Sequence, residues 1–202
     1  RQKMKLAIQA GHTKGTGANG YGRYPEHYYN SRIVERMVKL APCYGIELLV
    51  THRDPALGYG AAVRKTAKAI KQFKADLCME LHFNSAGKTA RGCEILYFWG
   101  SRKSKHAARC VSKALTPLMD ELDIPMRGDG GVRSLWYRSS NKGKAYSGRG
   151  GYYAWATPCP ALILEPFFGS NKHEMTEMAR AQNMDELAQR YLLGALEFKR
   201  SL

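Results

Sequence analysis

Two histidines and two glutamates carry the residue types needed for metal-assisted hydrolysis. His12 and Glu26 flank a glycine-rich loop, His82 lies in Leu81-His82-Phe83-Asn84, and Glu165 closes an otherwise apolar run. A catalytic zinc site takes three nitrogen or oxygen ligands from the protein and leaves the fourth position for water. Neutral imidazole and carboxylate keep the site's charge low enough for zinc to acidify that water. The candidate ligands for Zn2+ are therefore His12, Glu26 and His82, with Glu165 as a further acid beside them. The three are remote in sequence, so spacing alone is no signature. Hydrogen-bonded core histidines are the alternative.

Such residues need a scaffold that brings distant segments to one edge. The apolar run 6–10 ends at Gly11 and reads as a first strand, followed by the glycine-rich loop 11–24. Pro25 reads as the first position of a helix, where its fixed φ and missing N–H are suited, and Ile33, Met37, Val38 and Leu40 give that helix an apolar face. A strand over 46–51 and a helix over 61–73 follow, the latter through Ala62, Ala69, Ile70 and Phe73. Strands are predicted at 76–83 and 93–99, and a helix at about 103–122 through Ala107, Val111, Leu115, Leu118 and Met119. Residues 125–160 read as a long irregular piece, 161–165 as a strand, and 171–200 as helical with a break near Asn183. Strands alternating with helices predict one α/β domain over residues 1–202: a mostly parallel twisted sheet with helices on both faces and no second domain.

The polar exceptions inside these strands have a pattern. In the third strand Leu77, Met79, Leu81 and Phe83 point one way, and Cys78, Glu80, His82 and Asn84 the other. His12, His82 and Glu165 fall at or near the C-terminal ends of three strands, the edge where open α/β sheets bind ligands.

With 202 residues and 44% hydrophobic content, the chain can build one substantial core. No apolar run approaches a membrane span. The formal net charge of +15 points to an anionic partner: nucleic acid, a membrane surface or a bacterial wall. Five scattered cysteines without a C-x-x-C pair argue against a cysteine zinc site and read as buried free thiols of a reducing compartment. The N-terminus lacks the apolar stretch and cleavage site of a secretory signal, which predicts synthesis in the cytoplasm.

The order and context of these residues resemble the zinc-dependent N-acetylmuramoyl-L-alanine amidases, which include autolysins, cell-division amidases and phage endolysins. The resemblance runs through Gly11-His12 and Glu26, Thr51-His52-Arg53 with Arg64, Leu81-His82-Phe83-Asn84-Ser85, Gly92-Cys93-Glu94, and Leu164-Glu165-Pro166-Phe167-Phe168-Gly169-Ser170-Asn171. It implies that His12, Glu26 and His82 are the ligands and Glu165 the general base. The bond cleaved would be the amide joining N-acetylmuramic acid to L-alanine in peptidoglycan. His52 is an insertion relative to the family pattern. Glu80 stands where many members have a small or hydroxyl residue; it is read either as a hydrogen-bond partner orienting His82 or as part of an ion pair.

Between Arg127 and Tyr153, cations alternate with aromatic rings. Such a loop suits glycan and peptide carboxylates, and equally a single nucleic-acid strand. Its position before Glu165 makes it part of a substrate groove, with Asn84, Arg133, Trp136 and Tyr137 as substrate-binding candidates. The net charge would then attract anionic wall polymers or lipopolysaccharide, with no nucleic acid expected. A phage endolysin is the leading expectation. A zinc peptidase of related architecture and a non-enzymatic single-strand nucleic-acid-binding protein are the competitors. His27, His106 and His173 match no ligand position.

Overall fold

A computed structural model of the chain describes residues 3–135, 138–139, 145–146 and 150–202. Its elements in chain order are β1 (Met4–Ala10), α1 (Glu26–Leu40), β2 (Ile46–Val50), α2 (Tyr59–Phe73), β3 (Leu77–Leu81), β4 (Glu94–Phe98), α3 (Arg102–Glu121), β5 (Val132–Leu135), β6 (Arg138–Ser139), β7 (Ala145–Tyr146), α4 (Gly151–Ala156), β8 (Ala161–Glu165), α5 (Lys172–Met178) and α6 (Ala181–Arg200). Six strands form one sheet in the order β2-β1-β3-β8-β4-β5, and β6 and β7 form a separate ribbon. β2, β1, β3 and β8 run parallel. β4 runs antiparallel to β8, and β5 follows β4. The sheet is thus mostly parallel with a reversed edge pair, an arrangement that returns the start of β4 to the rim where β1, β3 and β8 end.

Helices cover both faces, as the alternation of elements requires. On one side Leu6, Ile8, Leu77, Met79 and Leu81 pack with Tyr29, Ile33 and Met37 of α1, Val111 and Leu115 of α3, and Leu187 and Tyr191 of α6. On the other, Ala7, Cys78, Leu96, Ala161 and Ile163 meet Val63 and Ile70 of α2 and Tyr153 and Ala154 of α4. Each large apolar side chain removed from water contributes about 1.5–3 kcal/mol before entropy is counted. The strict alternation of β3 between these two cores therefore fixes its register.

Several boundaries differ from the sequence reading for local reasons. Pro25 is the residue before α1, in extended conformation, so the helix begins at Glu26. The stretch 125–160 contains β5, β6, β7 and α4. β5 was hidden because only Val132 and Leu135 of its four residues are buried, and α4 because six residues are too short to show a helical period. The C-terminal helical region breaks at Ala179-Arg180 and not near Asn183. Asn183 lies inside α6, and its side-chain amide donates to the Glu177 carbonyl at 2.8 Å, closing the preceding helix. Cysteines 78, 93 and 110 are buried, but Cys43 is exposed and Cys159 is half-buried; all five are free.

Candidate metal centre

The polar exceptions converge at the rim formed by the ends of β1, β3 and β8. His12 follows β1 in the left-handed conformation, φ 64°, which histidine tolerates better than a β-branched residue. Gly17, at φ +94°, packs against that imidazole; a Cβ there would lie 2.8 Å from His12 Cδ2. Glu26 occupies the first turn of α1, where the helix dipole favours a carboxylate. The glycine-rich loop is stitched to it in both directions at Ala18: Glu26 N–H donates to the Ala18 carbonyl at 3.0 Å, and Ala18 N–H donates to Glu26 Oε2 at 2.9 Å.

His12 Nε2 lies 3.2 Å from Glu26 Oε2, and His82 Nδ1 lies 2.9 Å from Glu26 Oε1. One ligand atom from each of His12, Glu26 and His82 falls within 4.8 Å of the others. Glu26 and His82 are buried, whereas a third of the His12 side chain is exposed, at 31%. Two imidazoles and one carboxylate at this spacing form a donor set of the kind that holds a divalent metal, open on the His12 side. The residues fit a catalytic metal.

His82 is held from both sides. Its Nε2 is 2.7 Å from Glu80 Oε1, which leaves Nδ1 facing Glu26. Glu80 is fully buried and also receives Arg53 Nη2 and Gln9 Nε2. The Gln9 amide is fixed in turn by Thr51 Oγ1, which donates to Gln9 Oε1 at 2.9 Å. Glu80 thus touches both the imidazole and a cation.

Burial alone would raise the Glu26 carboxyl, but hydrogen bonds to His12 and His82 and the His82 charge outweigh it. They hold the group well below the ordinary carboxylate range. Glu80 behaves alike: burial pushes it up, and His82 and Arg53 bring it below its ordinary value. Burial would lower His82, yet the two carboxylates raise it to about 9. Without a metal, imidazolium held between two carboxylates is the favoured state. Metal binding must displace the Nδ1 proton and can leave Nε2–H on Glu80.

Glu165 ends β8 and is 7% exposed. With His12, Glu26, His82, Arg53 and Tyr59 it lines one cavity of about 380 Å³. Burial and the nearby Glu80 charge push the Tyr59 hydroxyl up to about 12, so it stays a neutral donor. Asn84 and Arg133 do not line this cavity, for both end on Glu94 at the start of β4. Trp136 and Tyr137 lie outside the described residues. Three other histidines, His27, His106 and His173, are tied to neighbouring groups. His27 Nδ1 is bonded to the Gly11 carbonyl at 2.9 Å, His106 Nε2 to Ser201 Oγ at 2.7 Å, and His173 Nε2 to the Leu122 carbonyl at 2.9 Å. Gln9, Tyr59 and the role of Arg53 escaped the sequence reading. Gln9 alone left a signal there, as a polar residue inside an apolar strand.

The model of one family, described as N-acetylmuramoyl-L-alanine amidase, matches residues 6–197. No curated protein matches the chain. Among solved structures, Ami1, the N-acetylmuramyl-L-alanine amidase of Mycobacterium smegmatis, superposes with a TM-score of 0.77 at 18% identity, covering 98% of each chain. The catalytic domain of CwlV, the amidase of Bacillus (Paenibacillus) polymyxa var. colistinus, gives 0.74 at 23% identity, again over 98% of each chain. The catalytic domain of the CD27L endolysin targeting Clostridia difficile gives 0.73 at 20% identity, covering 96% of this chain and 97% of that one. At such identities these structures establish a shared fold.

Proposed function

The chain belongs to the N-acetylmuramoyl-L-alanine amidase family, and from that premise we propose that His12, Glu26 and His82 hold a catalytic Zn2+ while Glu165 acts as general base on the amide between N-acetylmuramic acid and L-alanine. The observation that carries this reading is the approach of the three donors to within 4.8 Å of one another on the wall of the cavity that Glu165 also lines.

Zinc in such a site lowers the pKa of bound water to about 7 and polarises a carbonyl, which suits an amide, a poor electrophile. Glu165 faces the cavity, takes a proton from the attacking water, and later delivers it to the nitrogen of L-alanine as the carbon–nitrogen bond breaks. The products are a lactyl carboxylate on the glycan and a free amine on the peptide. Glu80 keeps the His82 ring in one orientation and one tautomer through Nε2. The two ordered cores behind the rim exclude water from the floor of the site, so that these charges act in a medium less screening than solvent.

We read residues 1–202 as a single catalytic unit whose own net charge of +15 draws it to anionic wall polymers or lipopolysaccharide. The role we propose is that of a phage endolysin, made in the host cytoplasm and acting on the wall. The likeness to the CD27L catalytic domain accords with it.

The deciding experiment is digestion of purified peptidoglycan by the metal-loaded protein, with and without a chelator, followed by identification of the released ends. New amino termini on L-alanine, lost on chelation and restored by zinc, are expected. Amino termini within the stem peptide would make the protein a peptidase, and chelator-resistant turnover would end the metal reading.

A further inference from the structure

Beyond Glu165 the same sheet face carries a second polar cluster that the chemistry above does not use. Glu94 is the register partner of Glu165 on the neighbouring strand and is only 1% exposed. Arg133, register partner of Leu96, rises from the same face. Glu94 Oε1 receives Arg127 Nε at 2.6 Å and Arg133 Nη1, and Oε2 receives Asn84 Nδ2 at 3.2 Å. The arginine heads are not buried with the acid they contact, since the Arg127 and Arg133 side chains are 37% and 42% exposed.

The Arg127 head is held from several directions, and the Arg133 head by its contact with Glu94. The Arg127 guanidinium lies 5.0 Å from the centroid of the Phe168 ring, and its Nη1 donates to the Arg91 carbonyl at 3.0 Å. Two glycines with positive φ admit the arginine stems. A Cβ on Gly92 would lie 2.7 Å from Arg127 Cγ, and one on Gly128 would lie 2.8 Å from Arg133 Cγ. Guanidinium groups anchored in this way lose little freedom on binding, and their planar forks match a carboxylate.

We propose that Arg127 and Arg133, fixed by Glu94, form a subsite for a carboxylate of the stem peptide. This proposal rests on the amidase reading and adds direction to it. The scissile amide joins a glycan half to a peptide half that bears carboxylates, so the arginine pair draws the peptide over β4 and β5.

The test compares a muramoyl-peptide with free peptide carboxylates against its amidated counterpart, using the zinc-loaded full chain. The wild-type protein should favour the free acid by roughly tenfold in kcat/KM, the order given by an anchored, partly exposed charge-assisted contact. In Arg133→Gln and Arg127→Gln, which keep an amide donor for Glu94 but drop the charge, the ratio should fall toward one. Arg133→Lys should retain part of it. A wild-type ratio near one overturns the proposal, as does a tenfold ratio that survives both glutamine variants. Turnover of the amidated probe with no acid preference sinks this subsite alone, whereas turnover of neither probe sinks the amidase reading and the subsite with it.

Discussion

Glu80 of β3 accepts the Nε2 proton of His82, the residue just past the strand, at 2.7 Å, deep enough that the carboxylate has no contact with solvent. The imidazole is thereby fixed with its other nitrogen toward Glu26. Replacement by glutamine keeps the volume and removes the charge, weakening the hold on the ring and leaving Arg53 without its anionic partner. Glu80→Gln should reduce zinc affinity by about 10–100-fold, measured by competition with a chromogenic chelator. Unchanged affinity would reduce Glu80 to a structural ion-pair partner.

Glu165 and the three ligand candidates should separate in their phenotypes. Glu165→Gln is expected to bind zinc as the parent does and to lose about 10²–10⁴ of kcat. His12→Ala and His82→Ala should lose both metal and turnover. Metal content by elemental analysis, read beside the hydrolysis rate, decides the assignment. A fully active Glu165→Gln protein would remove that residue from proton transfer.

Gly11 presses on the His82 ring from behind. A Cβ at this position would stand 2.1 Å from His82 Cε1, and the ring cannot retreat because Glu26 and Glu80 hold it from two sides. Gly11→Ala should therefore displace His82 and depress zinc binding and turnover together. Gly87→Ala, where an added Cβ meets nothing within 4 Å, serves as the comparison and should change neither. Equal zinc binding in the two variants would refute the steric argument.

The metal-free protein should lose stability as pH rises. His82 is raised from an ordinary value of 6.5 to about 9 in the fold. Its contribution is fully present below 6.5 and is lost as pH climbs through 9. Zinc competes with the same proton, so affinity should increase over that interval until His82 is neutral. Denaturant melts of the apoprotein at pH 6 and pH 9, with zinc titrations at both, test the sign. An apoprotein more stable at pH 9, with affinity independent of pH, would contradict it.

Attraction to the wall through the +15 surplus should weaken with salt. Sedimentation of the protein with purified walls at about 0.05 M and 0.5 M salt should show most of the bound fraction released at the higher concentration. Binding indifferent to salt would assign retention to specific contacts instead.

What could be read from the chain and what could not follows from the range of the interactions. Alternation at Cys78, Glu80 and His82 was visible because successive side chains of a strand point to opposite faces and only one of the two faces carries polar groups, and it led directly to the rim of the sheet. The four-residue β5 and the six-residue α4 left no such period, since their neighbours, and not their own composition, make them regular. Asn183 reads as a helix break because asparagine is a poor helix former; in the fold its backbone already belongs to α6 while its side chain closes α5. The convergence of Asn84 and Arg133 on Glu94 depends on β4 running against β8, a relation between distant segments that no local pattern encodes.

The way β3 threads between its two cores also makes the catalytic rim a proofreader of assembly. Sliding this strand by one residue would drive Glu80 and His82 into the oily layer beneath α1 and α6, and turn Met79 and Leu81 to the face that carries the candidate site. Misthreaded chains are thus both unstable and silent, so a molecule competent to cut is, by construction, one whose central strand has been laid down correctly.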